Sequence, residues 1–175
     1  MTQVKRLVYV SGAPGAGKTS LAGPLAAELG YALITKDTIK ETLHDALGAP
    51  DPDLAWSRRL GGAAMELLWT LAAHAPDVVI EANFRPYSDY QRGRLLGLGG
   101  QPVEVYCSCP AELASARYNA RVTHPVHVIK SLPAPAMAEY DRPLGIGELV
   151  VVDTTVPVDV AAVAARVRAL HAACR

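Results

Sequence analysis

The hydrophobic residues of the chain fall into short runs, separated by longer stretches in which apolar and polar positions follow helical spacing. Five runs are brief, rich in β-branched residues and apolar at successive positions, which is typical of strands covered on both faces. These predicted strands are Leu7–Val10, Ala32–Thr35, Val78–Glu81, Val103–Cys107 and Leu149–Asp153. The helical spacing predicts helices over Lys18–Leu29, Thr38–Leu47, Asp53–Ala73, Ser88–Leu98, Pro110–Val122 and Val158–Ala173.

The alternation of strands and helices predicts an α/β fold, in which right-handed crossovers place helices on both faces of a parallel sheet. Two of the predicted helices carry interruptions. Pro24 lies inside the first helix, where it removes a backbone donor and is expected to kink or shorten the helix. Gly61 and Gly62 divide the third helix and indicate either a bend around a pocket or close helix packing.

The composition narrows the class of protein. A chain of 175 residues, 50% hydrophobic and 19% charged, is expected to form one soluble domain over residues 1–175. Its 17 basic and 17 acidic side chains leave no net charge, which argues against a nucleic acid or an anionic membrane as partner. The chain carries three cysteines and shows no signal peptide or membrane span, so we expect a cytoplasmic protein with reduced thiols.

A glycine-rich turn follows the first predicted strand directly and fits the pattern G-x-x-x-x-G-K-[ST] at every fixed position. In such a turn successive N–H groups point inward, and the N-terminus of the next helix adds its positive dipole end to the same anion site. We therefore expect an ATP site with magnesium, in which Lys18 reaches the β and γ phosphates and the hydroxyl of Thr19 coordinates the metal. The expected nucleotide-binding residues are Gly12, Ala13, Pro14, Gly15, Ala16, Gly17, Lys18, Thr19 and Ser20.

Two large classes of nucleotide-binding protein lack support in the sequence. A GTPase would carry an Asn-Lys-x-Asp guanine-binding sequence, which does not occur in the chain. A motor ATPase would normally end its third strand with Asp followed by Glu, whereas Ile80 precedes Glu81.

An aspartate follows the second predicted strand. Open α/β sheets bind ligands at the carboxyl ends of their strands, so Asp37 is expected to face the glycine-rich turn and the γ phosphate. Together with that turn, the Thr35–Lys40 tract resembles the small P-loop kinases often labelled predicted kinases. These are related to shikimate and gluconate kinases, chloramphenicol phosphotransferase, zeta toxins and the kinase domain of polynucleotide kinase. The alternative is that Asp37 caps the helix predicted to begin at Thr38.

The resemblance covers nearly the whole chain and implies a three-layer P-loop NTPase fold. Its five-stranded parallel sheet has the order 2-3-1-4-5 and carries a short lid. In the family the matching aspartate accepts the proton of the acceptor hydroxyl, which makes Asp37 the candidate general base. Glu81 matches the position that holds magnesium, with contact expected through water. The implied metal set is therefore Thr19, Asp37 and Glu81.

Several residues are expected to contact the acceptor. Lys40 lies one helical turn after Asp37 and either holds an acceptor group or is a solvated surface lysine. Asn83 belongs to a tract that resembles the loop shaping the acceptor pocket of these kinases. Arg85, from the same tract, either clamps an anionic acceptor or pairs with Asp89.

The helix after the fourth strand carries Arg117 and Arg121, one turn apart. The pair resembles the arginines that begin the lid in these kinases. The resemblance implies that Arg117 lies over adenine and that Arg121 neutralises charge on the transferring phosphoryl group. The alternative is two exposed arginines on a polar face. Thr155 and Pro157, after the last strand, resemble the loop that closes over adenine.

Residues 122–147 show little periodicity and are predicted to form the lid. His124 and His127 lie in a tract that resembles the HPxH-type segment of some predicted kinases, which implies that His124 approaches the phosphates. A zinc site that adds Cys107 and Cys109 is the alternative.

These observations predict transfer of the γ phosphate of ATP to a hydroxyl group, with the acceptor bound by the region of about residues 38–75. Trp56, Arg58, Arg59 and Trp69 are available to line that pocket. The partner is expected to be a metabolite or an antibiotic-like compound, and the protein a monomer or weak homodimer. Two alternatives remain: a polynucleotide 5′-hydroxyl kinase, and a nucleotide-binding regulatory or toxin-like module with slow hydrolysis.

Overall fold

The protein is built on one five-stranded parallel sheet. The structure, a computed structural model, describes residues 4–48 and 51–173. The strand order β2-β3-β1-β4-β5 confirms the predicted order, and every strand pair is parallel. The strands are β1 (Arg6–Ser11), β2 (Ala32–Thr35), β3 (Asp77–Glu81), β4 (Gln101–Ser108) and β5 (Glu148–Asp153).

Six α-helices and one 3₁₀-helix connect the strands within the described ranges, and each predicted helix is present with its ends shifted by two residues at most. The 3₁₀-helix was not predicted, because two prolines at its start break the apolar period that would have indicated it. The α-helices are α1 (Lys18–Leu29), α2 (Lys36–Leu47), α3 (Leu54–His74), α4 (Asp89–Gly97), α5 (Ala111–Ala120) and α6 (Val160–Ala173); the 3₁₀-helix is Ala134–Tyr140.

Two of these shifts alter the expected placement of site residues. The Thr35 side chain accepts a hydrogen bond from the N–H of Thr38 and caps α2, so the alternative that Asp37 is the cap is wrong. Helix α5 ends at Ala120, and Arg121 has an extended backbone, with φ −78° and ψ 141°. The prediction that Arg117 and Arg121 share one helical face is therefore wrong.

The two expected interruptions do not break their helices. Helix α1 runs through Pro24 to Leu29, so the predicted shortening is wrong. Pro24 is exposed, where water can reach the carbonyl that loses its donor. Helix α3 likewise runs without a break through Gly61 and Gly62.

Apolar side chains are buried on both faces of the sheet. Inward-facing valines of β1, β4 and β5 pack against α1 and α6 on one face. The other face packs against α3 and α4, and Trp69, which was expected near the acceptor pocket, is buried there against Phe84. Because both faces are covered, the ends of the strands remain as the places where ligands can bind.

The segment 122–147, here called the lid segment, returns to the sheet at its C-terminal end. Val126, Met137, Leu144 and Ile146 are buried. The backbone N–H groups of Leu144 and Gly145 donate to the carboxylate of Glu104, which is 0% exposed. Within the described ranges no helix has the length and hydropathy required to span a membrane.

Candidate active site

The glycine-rich turn between β1 and α1 requires glycine for two reasons. Gly12, Gly15 and Gly17 have φ angles of 131°, 81° and 84°, a region that side chains disfavour. A Cβ atom on Gly15 would lie 2.1 Å from the carbonyl oxygen of Ala114, and one on Gly12 would lie 2.7 Å from that of Cys107. The turn is therefore closely packed and preformed, with its N–H groups available for an anion at the start of α1.

Lys18 is the first residue of α1 and is 5% exposed. Its Nζ atom donates to the carbonyl oxygen of Ala13, 2.7 Å away, so the turn itself holds the ammonium. Burial lowers the pKa of Lys18, while the nearby carboxylate of Glu81 acts in the opposite direction. The first turn of α1 carries no acidic residue, which leaves its positive end for a bound anion.

Three oxygen-bearing side chains lie beside the turn. Thr19 Oγ1 donates to Glu81 Oε2 at 3.5 Å, and Glu81 is 4% exposed at the end of β3. Burial raises the pKa of Glu81. Asp37 completes the set. Within the described residues no group of three His, Cys, Asp or Glu side chains could hold a metal by itself. A hydroxyl and one or two carboxylates beside a phosphate site nevertheless fit Mg²⁺, which takes its other ligands from phosphate and water.

Asp37 lies in the first turn of α2, and its Oδ1 atom accepts a hydrogen bond from Lys36 Nζ at 2.9 Å. Burial alone would raise the pKa of this carboxyl. The ammonium of Lys36, together with His127 and Arg121, outweighs burial and holds the pKa of Asp37 below its ordinary value. Asp37 is therefore an ionised carboxylate at neutral pH.

Two cavities meet at this carboxylate. The nucleotide cavity, of about 460 Å³, extends from the glycine-rich turn to the loop after β5. The acceptor cavity, of about 610 Å³, lies between α2, α3 and the lid segment. Both cavities are lined by Pro14, Asp37, Asn83 and Arg121. A phosphoryl group at the shared opening can therefore be reached from both sides.

Most of the predicted nucleotide residues line the nucleotide cavity. Arg117 Nη1 donates to the carbonyl oxygen of Thr154 at 2.9 Å, which fixes the guanidinium at the end of the cavity away from Asp37. Thr155 lies outside the lining, because its hydroxyl donates to Asp153, while Val156 contributes in its place. The predicted residues that line this cavity are Pro14, Gly15, Gly17, Lys18, Thr19, Ser20, Asp37, Glu81, Asn83, Arg117, Arg121 and Pro157. Gly12, Ala13 and Ala16 do not line either cavity.

The predicted acceptor residues Lys40, Arg58 and Arg85 line the acceptor cavity. Lys40 is 6% exposed and so is not a solvated surface lysine. Arg85 pairs with Glu139 at 3.3 Å and not with Asp89.

The two histidines of the lid segment differ in position. His124 lines neither cavity. Its Nε2 atom lies 3.0 Å from Asp45, and its ring packs edge-on against His44. His127 lines the acceptor cavity and contacts Glu41 at 2.8 Å. Each histidine thus has a carboxylate partner on α2, and the described residues bring no zinc site together.

Sequence reasoning missed several residues of the acceptor cavity, and Lys36, Tyr118 and Ser57 are three of them. Lys36 neighbours Asp37 in the sequence, which is a signal that could have found it. Tyr118 lies on α5 with the Arg121 guanidinium 4.4 Å from its ring centroid. Ser57 connects α3 to the lid segment by donating to the carbonyl oxygen of Val126. The last contact joins residues 69 positions apart, so local sequence carries no signal for it.

Comparisons with known proteins agree with this geometry. A family model described as an AAA domain, AAA_33, matches residues 7–143. A candidate kinase from Chloroflexus aurantiacus J-10-fl is 32% identical, with a TM-score of 0.83 and coverage of 95% of this chain and 98% of that chain.

Two further solved structures share the fold. Shikimate kinase from Acinetobacter baumannii, solved with shikimate, is 19% identical with a TM-score of 0.56, over 99% of this chain and 96% of that one. A gluconokinase from Sinorhizobium meliloti 1021 is 22% identical with a TM-score of 0.52, over 99% and 95%. At these identities the similarity extends to the fold alone.

Proposed function

The chain belongs to the AAA_33 family of small P-loop kinases, and on that premise we propose that it transfers the γ phosphate of ATP to a hydroxyl group of a small acceptor molecule. The observation that carries this proposal is the meeting of two cavities at Asp37 and Arg121. One cavity ends in a preformed phosphate turn, and the other has the volume of a metabolite site.

In the proposed reaction the acceptor oxygen attacks the γ phosphorus. A new bond forms between them, and the bond from that phosphorus to the bridging oxygen breaks, so that the electron pair leaves with ADP. The hydroxyl proton passes to the carboxylate of Asp37 and from there to water. Because the pKa of Asp37 is held low, the carboxylate is always ionised near neutral pH and positions the hydroxyl more than it withdraws the proton.

The remaining side chains act on charge. Lys18 and Arg121 both line the nucleotide cavity and would neutralise the negative charge that spreads over the transferring group. Thr19, Glu81 and Asp37 would hold Mg²⁺, which would supply further neutralisation of phosphate charge. Closure of the lid segment over both cavities would exclude water and suppress hydrolysis.

The test is release of ADP in the presence of alcohols, sugars, nucleosides, hydroxylated antibiotics and an oligonucleotide with a free 5′-hydroxyl, with phosphorus NMR on any product. We expect Asp37→Asn to keep nucleotide-induced thermal stabilisation while acceptor-dependent turnover falls by about 10²- to 10⁴-fold. Asp89→Asn, an exposed aspartate of α4, is the matched control. Wild-type turnover by Asp37→Asn would exclude the proposed role, and phosphorylation of the oligonucleotide alone would favour a polynucleotide kinase.

A further inference from the structure

Cationic side chains outnumber carboxylates around the acceptor cavity. Five of its lining residues are lysine or arginine, whereas two are acidic: Lys36, Lys40, Arg58, Arg85 and Arg121 against Asp37 and Glu139. Both carboxylates already have partners, since Lys36 pairs with Asp37 at 2.9 Å and Arg85 pairs with Glu139 at 3.3 Å. The cavity therefore carries an excess of positive charge in a chain whose total charge is zero.

Two of these cations lack a counter-charge of their own within the described residues. Arg121 also lines the nucleotide cavity, where a triphosphate would supply its counter-charge. Lys40 and Arg58 line the acceptor cavity alone, and neither forms an ion pair within residues 4–48 and 51–173. These two side chains project from α2 and α3 respectively, so they face the cavity from adjoining helices.

Lys40 is the more constrained of the two. It is 6% exposed, and its Nζ atom donates to Ser57 Oγ at 2.7 Å. Ser57 uses its own proton on the carbonyl oxygen of Val126, also at 2.7 Å, so Ser57 can only accept from Lys40. An ammonium has three protons to donate, and this one is buried with a single neutral acceptor. Burial, reinforced by Lys36, lowers the pKa of Lys40 to about 8, although Asp37 and Glu41 act in the opposite direction.

The position of Lys40 relative to Asp37 sets the size of a ligand that contacts both. The two residues are three positions apart on α2, which corresponds to about 4.5 Å along the helix axis on the same face. A molecule with a hydroxyl group on Asp37 and a second group on Lys40 therefore needs only a few bonds between them. Arg58 follows Ser57 directly on α3 and lines the same cavity.

We propose that the acceptor is a small hydroxylated anion, and that Lys40 and Arg58 bind its carboxylate or phosphate ester while its hydroxyl group contacts Asp37. This inference rests on the proposed phosphotransfer and names the class of acceptor. The carboxylate or phosphate ester of the acceptor would form the ion pairs that Lys40 and Arg58 do not form within the described residues. A neutral or cationic alcohol of the same shape leaves a buried ammonium unpaired and is discriminated against for that reason.

Turnover of matched acceptor pairs tests the class directly. The carboxylate pairs are D-gluconate with D-glucose and shikimate with its methyl ester, and the phosphate pair is adenosine 3′-monophosphate with adenosine. We expect the anionic member of a productive pair to have a kcat/KM at least about tenfold higher, as loss of a charged hydrogen bond predicts. Equal or better phosphorylation of the neutral member would overturn the proposal and leave the phosphotransfer intact.

Two substitutions assign the effect to these side chains. Lys40→Met, which keeps the length and removes the charge, is expected to raise KM for the anionic acceptor by about 10- to 100-fold. KM for ATP and kcat are expected to change little. Arg58→Met acts in the same direction, whereas Arg59→Met is the matched control, because Arg59 stacks on Trp56 outside the cavity. In the wild type KM is expected to rise above about pH 8, where Lys40 loses its proton, and Lys40→Met should lack that rise.

Binding of sulfate or acetate, measured as a shift in Tm, tests the anion site without knowledge of the natural acceptor. The protein is first saturated with magnesium and adenylyl imidodiphosphate, which fills the γ-phosphate position, and is then titrated while its Tm is measured. We expect either anion to stabilise the wild type and Arg59→Met more than Lys40→Met or Arg58→Met. Without anion, Lys40→Met is expected to be as stable as the wild type, because it removes a buried charge.

The outcomes separate the two proposals. Equal anion stabilisation of the wild type and both cavity variants would overturn the anion site. Selective stabilisation together with no turnover of any acceptor would support the anion site and count against phosphotransfer. If Lys40→Met fails to fold, Arg58→Met against Arg59→Met decides the same question.

Discussion

The nucleotide cavity and the acceptor cavity share a wall but are built in different ways. The first begins at a turn of backbone in which Gly12 and Gly15 leave no room for a Cβ atom. The second is formed by side chains that α2, α3 and the lid segment contribute from distant parts of the chain. A backbone site recognises the phosphates that every triphosphate carries, whereas a side-chain site can change its ligand by single substitutions. For the proposed phosphotransfer, we infer that the choice of acceptor would be determined in the second cavity.

The largest effect is expected from Lys18→Ala, which removes the one ammonium inside the phosphate turn. Turnover should fall by about 10³-fold, and the thermal stabilisation by ATP should be lost. Lys130→Ala, an exposed lysine of the lid segment, is the control. Thermal shift with ATP and an ADP-release assay provide the two measurements. An unchanged shift would contradict the assignment of the nucleotide cavity.

A pair of glycine substitutions tests the contrast between backbone and side-chain construction. Gly15→Ala meets the carbonyl oxygen of Ala114 and has a φ of 81°, so we expect it to lower the free energy of unfolding by about 2 kcal/mol or more. Gly62→Ala, in α3 on the wall of the acceptor cavity, meets no atom within 4 Å. It should be neutral or stabilising by about 0.5–1 kcal/mol. Denaturant unfolding measures the free energy of unfolding of both variants. Equal losses would contradict the stated difference between the backbone turn and the side-chain cavity.

Ser57→Ala tests whether the contact between α3, Lys40 and the lid segment shapes the acceptor cavity. It leaves the carbonyl oxygen of Val126 and the ammonium of Lys40 without their partner, and we expect a loss of about 1–3 kcal/mol. Ser115→Ala is the matched control, because Ser115 donates to the carbonyl oxygen of Leu132 in the lid segment but does not contact Lys40. Both variants should lose stability, and only Ser57→Ala should raise KM for the acceptor. The same KM in both would show that Ser57 has a structural role alone.

The smallest effect concerns pH. Burial, with help from Lys40, lowers the pKa of His127 below 6.5, although Asp37 and Glu41 oppose the shift. The imidazole of His127 is therefore protonated at a higher pH in the unfolded chain than in the folded protein. The stability that comes from keeping His127 neutral is lost as the pH falls from about 6.5 through the pKa of His127 in the folded protein. His127→Gln should flatten this dependence. His171 carries a shift of the same sign, so the difference between wild type and variant is the quantity to measure by unfolding at several pH values.

The same contrast explains what could be predicted from the sequence. The phosphate turn is encoded in consecutive residues, and the alternation of strands and helices follows from local patterns. The order of the strands in the sheet was predicted only through the resemblance to the small P-loop kinases. Lys40 could be named from its spacing to Asp37, but its burial could not, because that depends on Ser57 and Val126 closing over it from other elements. Arg85 was expected to pair with Asp89 or with an anion, and its partner Glu139 lies in a segment without periodicity.

The two lid histidines illustrate the limit most clearly. The resemblance to an HPxH-type segment singled out His124, whereas the structure places His127 in the lining of the acceptor cavity. The two rings contact different carboxylates of α2. His124 contacts Asp45, and His127 contacts Glu41, one helical turn away. The turn of chain between the histidines then decides which ring faces the acceptor cavity.

The carboxylate of Glu104 joins three parts of the molecule at a single point. It accepts from the hydroxyl of Ser11, the residue just before the glycine-rich turn, and from the amides of Leu144 and Gly145 at the far end of the lid segment. Because Ser115 and Tyr118 of α5 also donate to carbonyl oxygens of Leu132 and Ile129, the lid segment is attached to the rest of the protein at two places. The proposed closure would then be confined to the parts of the segment between these attachments, and the attachment at Glu104 is hydrogen-bonded to the strand that leads into the phosphate turn.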